Sequence, residues 1–305
     1  MYDLIIIGAG PAAYTASIYA SRYKIKNLII GREHGGQIAE AHLVENYPGF
    51  LSIDGKKLMD KFKEHAEKFE AEIITKEVQG IIKEKDNTFT VDLEKDGKYS
   101  AKTILLATGM GHRKLAIPGE EKFIGKGVSF CFTCDGMFFK DKTVAVAGGS
   151  DSAAMAADYM SKIAKKVYLI FRKDNMTAEP VWQEKIKTNP KIEIVSNTNI
   201  TETKGNQKVE EITLDTPYKE KNELLVDGVF IEIGSLPSLA LPKELGLKID
   251  KFGYVKVSED QSTNIKGIFA AGDITTASNK FRQVITAASE GSIAVSGIYK
   301  YLQKK

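Results

Sequence analysis

The sequence predicts an α/β protein in which one strand–turn–helix–strand plan is used twice. Apolar strands at 4–7 and 143–147 each run into a glycine turn, at 8–13 and 148–153. Each turn leads into a helix and a second strand, 14–23 with 27–30 and 154–163 with 166–171. Each half then passes through β-rich material and closes on an apolar strand, 104–107 or 229–233, followed by Thr108-Gly109 or Gly234-Ser235. A short apolar run bounded by glycine reads as a buried strand, and helical spacing behind it as the crossover of a βαβ unit.

In the first half, Leu58, Phe62, Ala66 and Phe69 recur at helical spacing within 56–70, an amphipathic helix that packs on the first sheet. Phe89, Val91 and Leu93 share one strand face, and Asp96-Gly97 makes a hairpin turn. In the second half a turn near Gly205-Asn206 divides the β-rich stretch. After Pro242 the chain changes character, with a strand at 267–271, a turn at Gly272-Asp273 and a long helix at 283–301. Gly and Pro cluster at 111–118 and 235–242, where the chain is expected to cross between halves.

The 305 residues suffice for two domains, each with its own core. With 43% hydrophobic and 27% charged residues, the profile is that of a globular protein. A net charge of +3 points to neither nucleic acid nor an anionic membrane. No apolar run reaches the ~18 residues of a membrane span. Met1-Tyr2-Asp3 leads straight into a strand, without the basic and apolar regions of a signal peptide. The expected compartment is the cytoplasm.

The first turn, Gly8-Ala9-Gly10-Pro11-Ala12-Ala13, fits G-x-G-x-x-A between a strand and a helix. The first glycine allows the tight turn and the second lets backbone approach a pyrophosphate. Small Ala13 permits close helix–sheet packing, and the helix N-terminus favours the negative charge. Glu33 lies just past the second strand, where a ribose-binding acid belongs. Tight turns also use glycine for purely steric reasons, so it is the order of strand, turn, helix, strand and acid that points to a nucleotide.

The chain has two cysteines, in Cys131-Phe132-Thr133-Cys134-Asp135. A C-x-x-C pair can open and close a disulfide locally, and its thiolates respond to their surroundings. A structural staple over so short a loop would remove little unfolded-state entropy. Adjacent Asp135 is placed to protonate a leaving thiolate. Tetrahedral zinc needs four ligands, and His34, His42, His65 and His112 offer no pair at ligand spacing, so no metal is expected. Two unreactive core cysteines are the other alternative.

Over essentially its whole length the chain resembles the low-molecular-weight, bacterial and archaeal-type thioredoxin reductases. The resemblance is carried by 8–16 (GAGPAAYTA), 35–50 (GGQIAEAHLVENYPGF), 131–136 (CFTCDG) and 270–288 (AAGDITTASNKFRQVITAA). It implies two Rossmann-like (three-layer ββα) nucleotide-binding domains, the second inserted into the first. The expected boundaries are 1–112 and 242–305 for FAD and 113–241 for an NAD(P)H-type domain carrying the dithiol. The implied FAD residues are Gly8, Gly10, Pro11, Ala12, Ala13, Glu33, Gly36, Gln37, Asn46, Val78, Ala107, Thr108, Gly109, Gly272, Asp273, Arg282, Gln283 and Val284. Among them Asn46 would lie near the isoalloxazine, Asp273 would bond the ribitol chain, and the helix opening at Gln283 would favour the charge of a reduced flavin. Cys134 would face the flavin, Cys131 would exchange with oxidised thioredoxin or a thioredoxin-like protein, and Asp135 would donate the proton. The resemblance further implies a homodimer, and rotation of one domain against the other between half-reactions.

The second turn departs from the family. Gly148-Gly149-Ser150-Asp151-Ser152-Ala153 has Ser150 where a third consecutive glycine is usual. The usual His-Arg-Arg, followed four residues later by Arg, reads Phe171-Arg172-Lys173 and then Thr177. Two cations remain for a 2′-phosphate and no acid ends the strand, which favours NADPH over NADH. The expected NADPH contacts are Gly149, Ser150, Asp151, Ser152, Arg172, Lys173 and Gly234. Arg172 and Lys173 also read as solvated strand-end charge. Three alternatives stay open: a nicotinamide-independent relative fed by reduced ferredoxin or deazaflavin, a flavin dithiol oxidase, and a flavin-bound redox sensor without turnover.

Overall fold

A computed structural model of the chain describes residues 1–304 and divides it into two compact units. One is Met1–Gly111 with Pro237–Lys305, and the other is His112–Leu236. The second crossing falls before 237 rather than after 241. Ser238 donates its N–H to the Gly109 carbonyl (3.2 Å), and Leu241 packs into the core of the first unit.

The first unit opens with β1 (Tyr2–Ile7), α1 (Pro11–Arg22), β2 (Asn27–Ile30), α2 (Gly55–Lys68) and β3 (Glu72–Ile74). The antiparallel run β4 (Gly80–Lys83), β5 (Phe89–Asp92) and β6 (Lys98–Leu106) follows. The sheet order is β3-β2-β1-β6-β5-β4. Because β6 is nine residues long it serves two partners on the edge away from β1, β5 along its first half and β17 (Ile268–Ala270) along Ile104, Leu105 and Leu106.

The strands β1, β2 and β17 and the last three residues of β6 are nearly all apolar because both faces are covered. Leu4, Ile6, Ile29, Leu105 and Phe269 meet α1 and α8 (Val284–Gln303) on one face. Ile5, Ile7, Leu28, Ile30, Ile104 and Leu106 meet Phe89, Val91 and Val255 on the other. The two-residue alternation of a strand sorts them. Small residues Ala12, Ala13, Ala16 and Ala20 line the buried side of α1 and let α8 approach. A Cβ on Gly291 of α8 would lie 2.2 Å from the Ala12 carbonyl oxygen.

Short strands β7 (Met110–His112) and β16 (Ser235–Pro237) mark the crossings. In the second unit, α3 (Glu120–Phe123), β8 (Val128–Ser129) and α4 (Phe132–Asp135) precede the repeat of the plan. That repeat is β9 (Thr143–Ala147), α5 (Asp151–Ile163), β10 (Lys166–Ile170), α6 (Pro180–Thr188) and β11 (Ile192–Val195). With β15 (Gly228–Ile231) these strands form a parallel sheet, β11-β10-β9-β15-β8. An antiparallel sheet of β12 (Ile200–Lys204), β13 (Glu211–Tyr218) and β14 (Lys221–Leu225) packs against it through Ile212, Leu214 and Leu224. The helix α7 (Ala240–Glu244) returns the chain to the first unit. No helix among the described residues is long and apolar enough to cross a membrane.

Candidate active site

The two glycine turns are built alike. Gly8 donates its N–H to the Ile30 carbonyl (2.7 Å), and Gly148 donates to Ile170 (2.8 Å). A Cβ on Gly8 would stand 2.1 Å from the Ala107 carbonyl oxygen, and one on Gly148 the same distance from that of Glu232. With φ at 123° and 137°, only glycine fits where these strand ends close up. The closure sets α1 and α5 to start at the carboxyl ends of the strands, where open α/β sheets bind ligands.

In the first unit Gly10 is the N-cap of α1, without a side-chain cap, and Pro11 begins the helix at no cost in N–H groups. Ala12 and Ala13 are buried under it. Gly35 donates to the Ala9 carbonyl (2.7 Å), which brings Gly36 and Gln37, the start of the 3-10 helix Gly36–Glu40, beside the turn. Glu33 is exposed and pairs with Arg32 at 2.7 Å. Past Ala107, the Thr108 Oγ1 is buried with no hydrogen-bond partner, and a Cβ on Gly109 would meet open space. An unpaired buried hydroxyl costs about 1–3 kcal/mol, and a bound polar ligand at this edge would relieve it. The strand-end cradle and the orphan hydroxyl fit a dinucleotide flavin. Val78 is half-buried and packs against the core on the other face of the sheet from α1.

The residues after β17 complete this site. Asp273 stands on the turn between Gly272 and Thr275. Burial pushes its carboxyl up to about 6. Arg282 opposes the rise and the charge of Glu290 adds to it. Glu290, itself buried on α8, accepts from the Gly272 N–H (2.8 Å) and the Thr275 hydroxyl (2.9 Å). Arg282 donates from Nη1 to the Tyr254 hydroxyl (2.7 Å). Gln283 is the N-cap of α8 and Val284 its first residue. The Gln283 Oε1 accepts from Asn46 Nδ2 (3.0 Å), and its N–H donates to Thr286 Oγ1 (3.1 Å).

In the second unit Cys131 and Cys134 are joined as a disulfide. Cys131 is the half-buried N-cap of α4, and Cys134 is exposed. Ser129 Oγ accepts from the Cys131 N–H (3.0 Å) and donates to its carbonyl (3.2 Å). Cys131 Sγ accepts from the Cys134 N–H (3.2 Å), and Thr133 Oγ1 lies 3.4 Å from it. Phe132 anchors the motif from below, buried and tilted against Tyr159. Asp135 ends α4 half-buried, its N–H bonded to the Cys131 carbonyl (3.1 Å).

The second glycine turn differs from the first in what closes over it. The Gly149 carbonyl accepts from the Thr177 N–H (2.7 Å) and the Ala178 N–H (3.2 Å). Asp151 Oδ1 accepts from the Glu179 N–H (2.6 Å), and Ser150 Oγ meets Ser152 Oγ (3.2 Å). Arg172 and Lys173 are exposed at the end of β10, and the Gly234 carbonyl accepts from the Arg113 N–H (3.1 Å). The structure therefore gathers the implied flavin residues in one unit and the dithiol with the implied nicotinamide residues in the other. Ser129, Thr133, Tyr254 and Glu290 are further site residues that the sequence reading did not single out. Only Glu290 carries a signal, as an acid in the otherwise apolar stripe of Val284, Ala287, Ala294 and Ile298.

The profile of the pyridine nucleotide-disulphide oxidoreductase family matches residues 2–291. A thioredoxin reductase of Bacillus subtilis is 40% identical, over 100% of this chain and 96% of that protein. The crystal structure of a Lactococcus lactis thioredoxin reductase superposes with a TM-score of 0.94 at 34% identity, covering 100% of each chain. That of a T. acidophilum thioredoxin reductase gives 0.90 at 36% identity, covering 98% of each. The chain belongs to the pyridine nucleotide-disulphide oxidoreductase family, among its low-molecular-weight thioredoxin reductases.

Proposed function

We propose that the chain is a thioredoxin-disulfide reductase that holds FAD in its first unit and passes electrons from NADPH through Cys131–Cys134 to oxidised thioredoxin or a thioredoxin-like protein. The observation that carries this is the formed Cys131–Cys134 disulfide, with protein hydrogen bonds directed at Cys131 Sγ. Membership of the family implies flavin and nicotinamide binding. FAD as the flavin is supported by the cradle at Gly8 and Gly10 and by the orphan Thr108 hydroxyl. NADPH as the donor is supported by exposed Arg172 and Lys173 and by the lack of an acid at the end of β10.

When bound, FAD supplies a two-electron relay between donor and disulfide. The backbone N–H groups opening α1 would hold its pyrophosphate. Asp273 would accept from its ribitol hydroxyls, while Asn46 and Gln283 would brace each other at its ring. In the dithiol, Cys131 attacks the partner's disulfide and Cys134 resolves the mixed disulfide. Asp135 supplies a proton to the leaving sulfur. A homodimer and a cytoplasmic location belong to the same proposal, on the family likeness and on the reduced state that a cycling dithiol needs.

Anaerobic titration of the yellow holoprotein with NADPH, NADH, reduced ferredoxin and reduced deazaflavin tests the donor. Bleaching by NADPH alone is expected. Cys131→Ser and Cys134→Ser are each expected to keep FAD and lose thioredoxin reduction. Turnover of thioredoxin at the parent rate by either variant would refute the proposal. Rapid peroxide formation with a small dithiol and none with thioredoxin would select a dithiol oxidase instead.

A further inference from the structure

Cys131 Sγ has two hydrogen-bond neighbours in the loop that carries it. One is the Cys134 N–H at 3.2 Å and the other is the Thr133 hydroxyl at 3.4 Å. A disulfide sulfur carries no hydrogen, so in this oxidised state Thr133 can only be the donor. Both contacts place partial positive charge where a thiolate would carry its negative charge. Hydrogen bonds to the charged form of an acid favour that form.

Neither donor has to be brought into place. The Cys134 N–H is aimed by the first turn of α4, with Cys131 as its N-cap. Ser129 holds the Cys131 backbone at both its N–H and its carbonyl, and buried Phe132 fixes the turn from below. The half-buried position of Thr133 keeps its hydroxyl beside the sulfur and partly out of water, where such a bond is stronger.

We propose that Thr133 is a catalytic residue of the exchange step: its hydroxyl hydrogen-bonds the Cys131 sulfur after reduction and raises the share present as thiolate. This rests on the thiol–disulfide exchange proposed above. Two electrons and two protons convert the Cys131–Cys134 disulfide to two thiols. Loss of a proton from Cys131 gives the thiolate, which attacks one sulfur of the partner's disulfide. The Cys131–partner bond forms, the partner's S–S bond breaks, and the released sulfur takes up a proton. The Cys134 thiolate then attacks Cys131 Sγ, re-forming the original disulfide and releasing the second partner sulfur, which is also protonated. Two electrons and two protons have passed to the partner, and the Thr133 proton has stayed on its oxygen throughout.

The test needs no donor and no thioredoxin. In a Cys134→Ser background Cys131 is the single thiol of the chain, and its rate of alkylation by iodoacetamide against pH reads its thiolate directly. Adding Thr133→Val, which keeps the shape and deletes the hydroxyl, should move the midpoint of that profile up by about one pH unit. Alkylation below the midpoint should slow by roughly tenfold. Adding Thr133→Ser should restore the parent profile. In the chain with both cysteines, Thr133→Val should lower kcat/KM for thioredoxin while flavin bleaching by the donor keeps its rate. A Thr133→Val profile that overlays the parent overturns the inference, and so does a shift that Thr133→Ser fails to reverse. If the alkylation profile moves as expected but no variant, nor the parent, turns over thioredoxin, the proposed exchange partner is wrong and the role of Thr133 stands.

Discussion

Asn46 Nδ2 donates to Gln283 Oε1 at 3.0 Å, joining the loop before α2 to the N-cap of α8 across most of the chain. The sequence resemblance places both residues at the flavin ring, and the structure makes them one unit. If FAD binds as proposed, their contact would close the ring end of the site, and the Gly8 turn would form its pyrophosphate end. Asn46→Leu should therefore weaken FAD binding at the ring without touching the phosphate end. Loss of one such hydrogen bond is worth about 1 kcal/mol, so the FAD dissociation constant should rise roughly fivefold. Quenching of FAD fluorescence on titration into FAD-free protein measures it. Unchanged affinity would show that the pair does not brace the bound ring.

Asp273 gives the FAD-free protein a distinctive pH dependence. Burial raises its carboxyl from the ordinary 3.8 to about 6. Between those values the folded protein keeps a proton that the unfolded chain has released. The stabilisation is thus fully present below about pH 4 and is lost as pH rises through 6. Two units correspond to about 3 kcal/mol at most. Asp273→Asn cannot ionise and escapes this loss. Its melting temperature should match that of the FAD-free parent near pH 4 and exceed it by about 5 °C at pH 7. Calorimetry at the two pH values is the check, and a difference that does not change with pH would contradict the assignment. The same substitution should weaken FAD binding, because the ribitol exchanges a charged acceptor for a neutral one.

Glu290 holds both ends of the turn that presents Asp273, through the Gly272 N–H and the Thr275 hydroxyl. Glu290→Ala strips both donors of their partner inside a buried site. Each unsatisfied group costs about 1–3 kcal/mol, so a stability loss of roughly 2–6 kcal/mol is expected. Glu290→Gln retains an acceptor oxygen of the same reach and should recover most of it. Urea unfolding of the two variants without FAD makes the comparison. Equal losses would mean that the charge, rather than the hydrogen bonds, sustains the turn.

Much of this was legible because it follows from period and turn chemistry. The strands at 4–7, 27–30 and 143–147 are apolar runs ended by glycine, and they lie where the periodicity puts them. The helix bounds shift by a few residues. Gly10 and Ser150 cap α1 and α5, so both helices start earlier than their first apolar residues suggested. The helix α6 was missed, since its buried side is only Trp182 and Ile186, too sparse for a stripe. Contacts that depend on close approach, such as Gly291 on the Ala12 carbonyl, leave no local pattern. The same holds for the Asn46–Gln283 and Arg282–Tyr254 bonds, whose partners lie far apart in sequence. The departure at Thr177 was visible as a missing cation. Its N–H bond to the Gly149 carbonyl was not, because that depends on how 174–180 folds back over the turn.

That fold-back frames the last prediction, which concerns the donor. Arg172 and Lys173 are exposed at the end of β10, where a 2′-phosphate would sit if NADPH binds as proposed. Charge-assisted hydrogen bonds to phosphate contribute about 1.5–3 kcal/mol each. Arg172→Ala with Lys173→Ala should thus raise KM for NADPH by tenfold or more and leave that for NADH unchanged. Added salt should weaken the parent's use of NADPH more than the variant's. Thr177 supplies the opposite test. Its N–H and hydroxyl both bond the Gly149 carbonyl, at 2.7 and 3.3 Å, so the backbone can hold the turn after the side chain is exchanged. Thr177→Arg restores a third cation and should lower KM for NADPH selectively. Steady-state kinetics with both nucleotides decides the matter. If neither change alters the preference, Arg172 and Lys173 are ordinary solvated charge and the electrons enter from another donor.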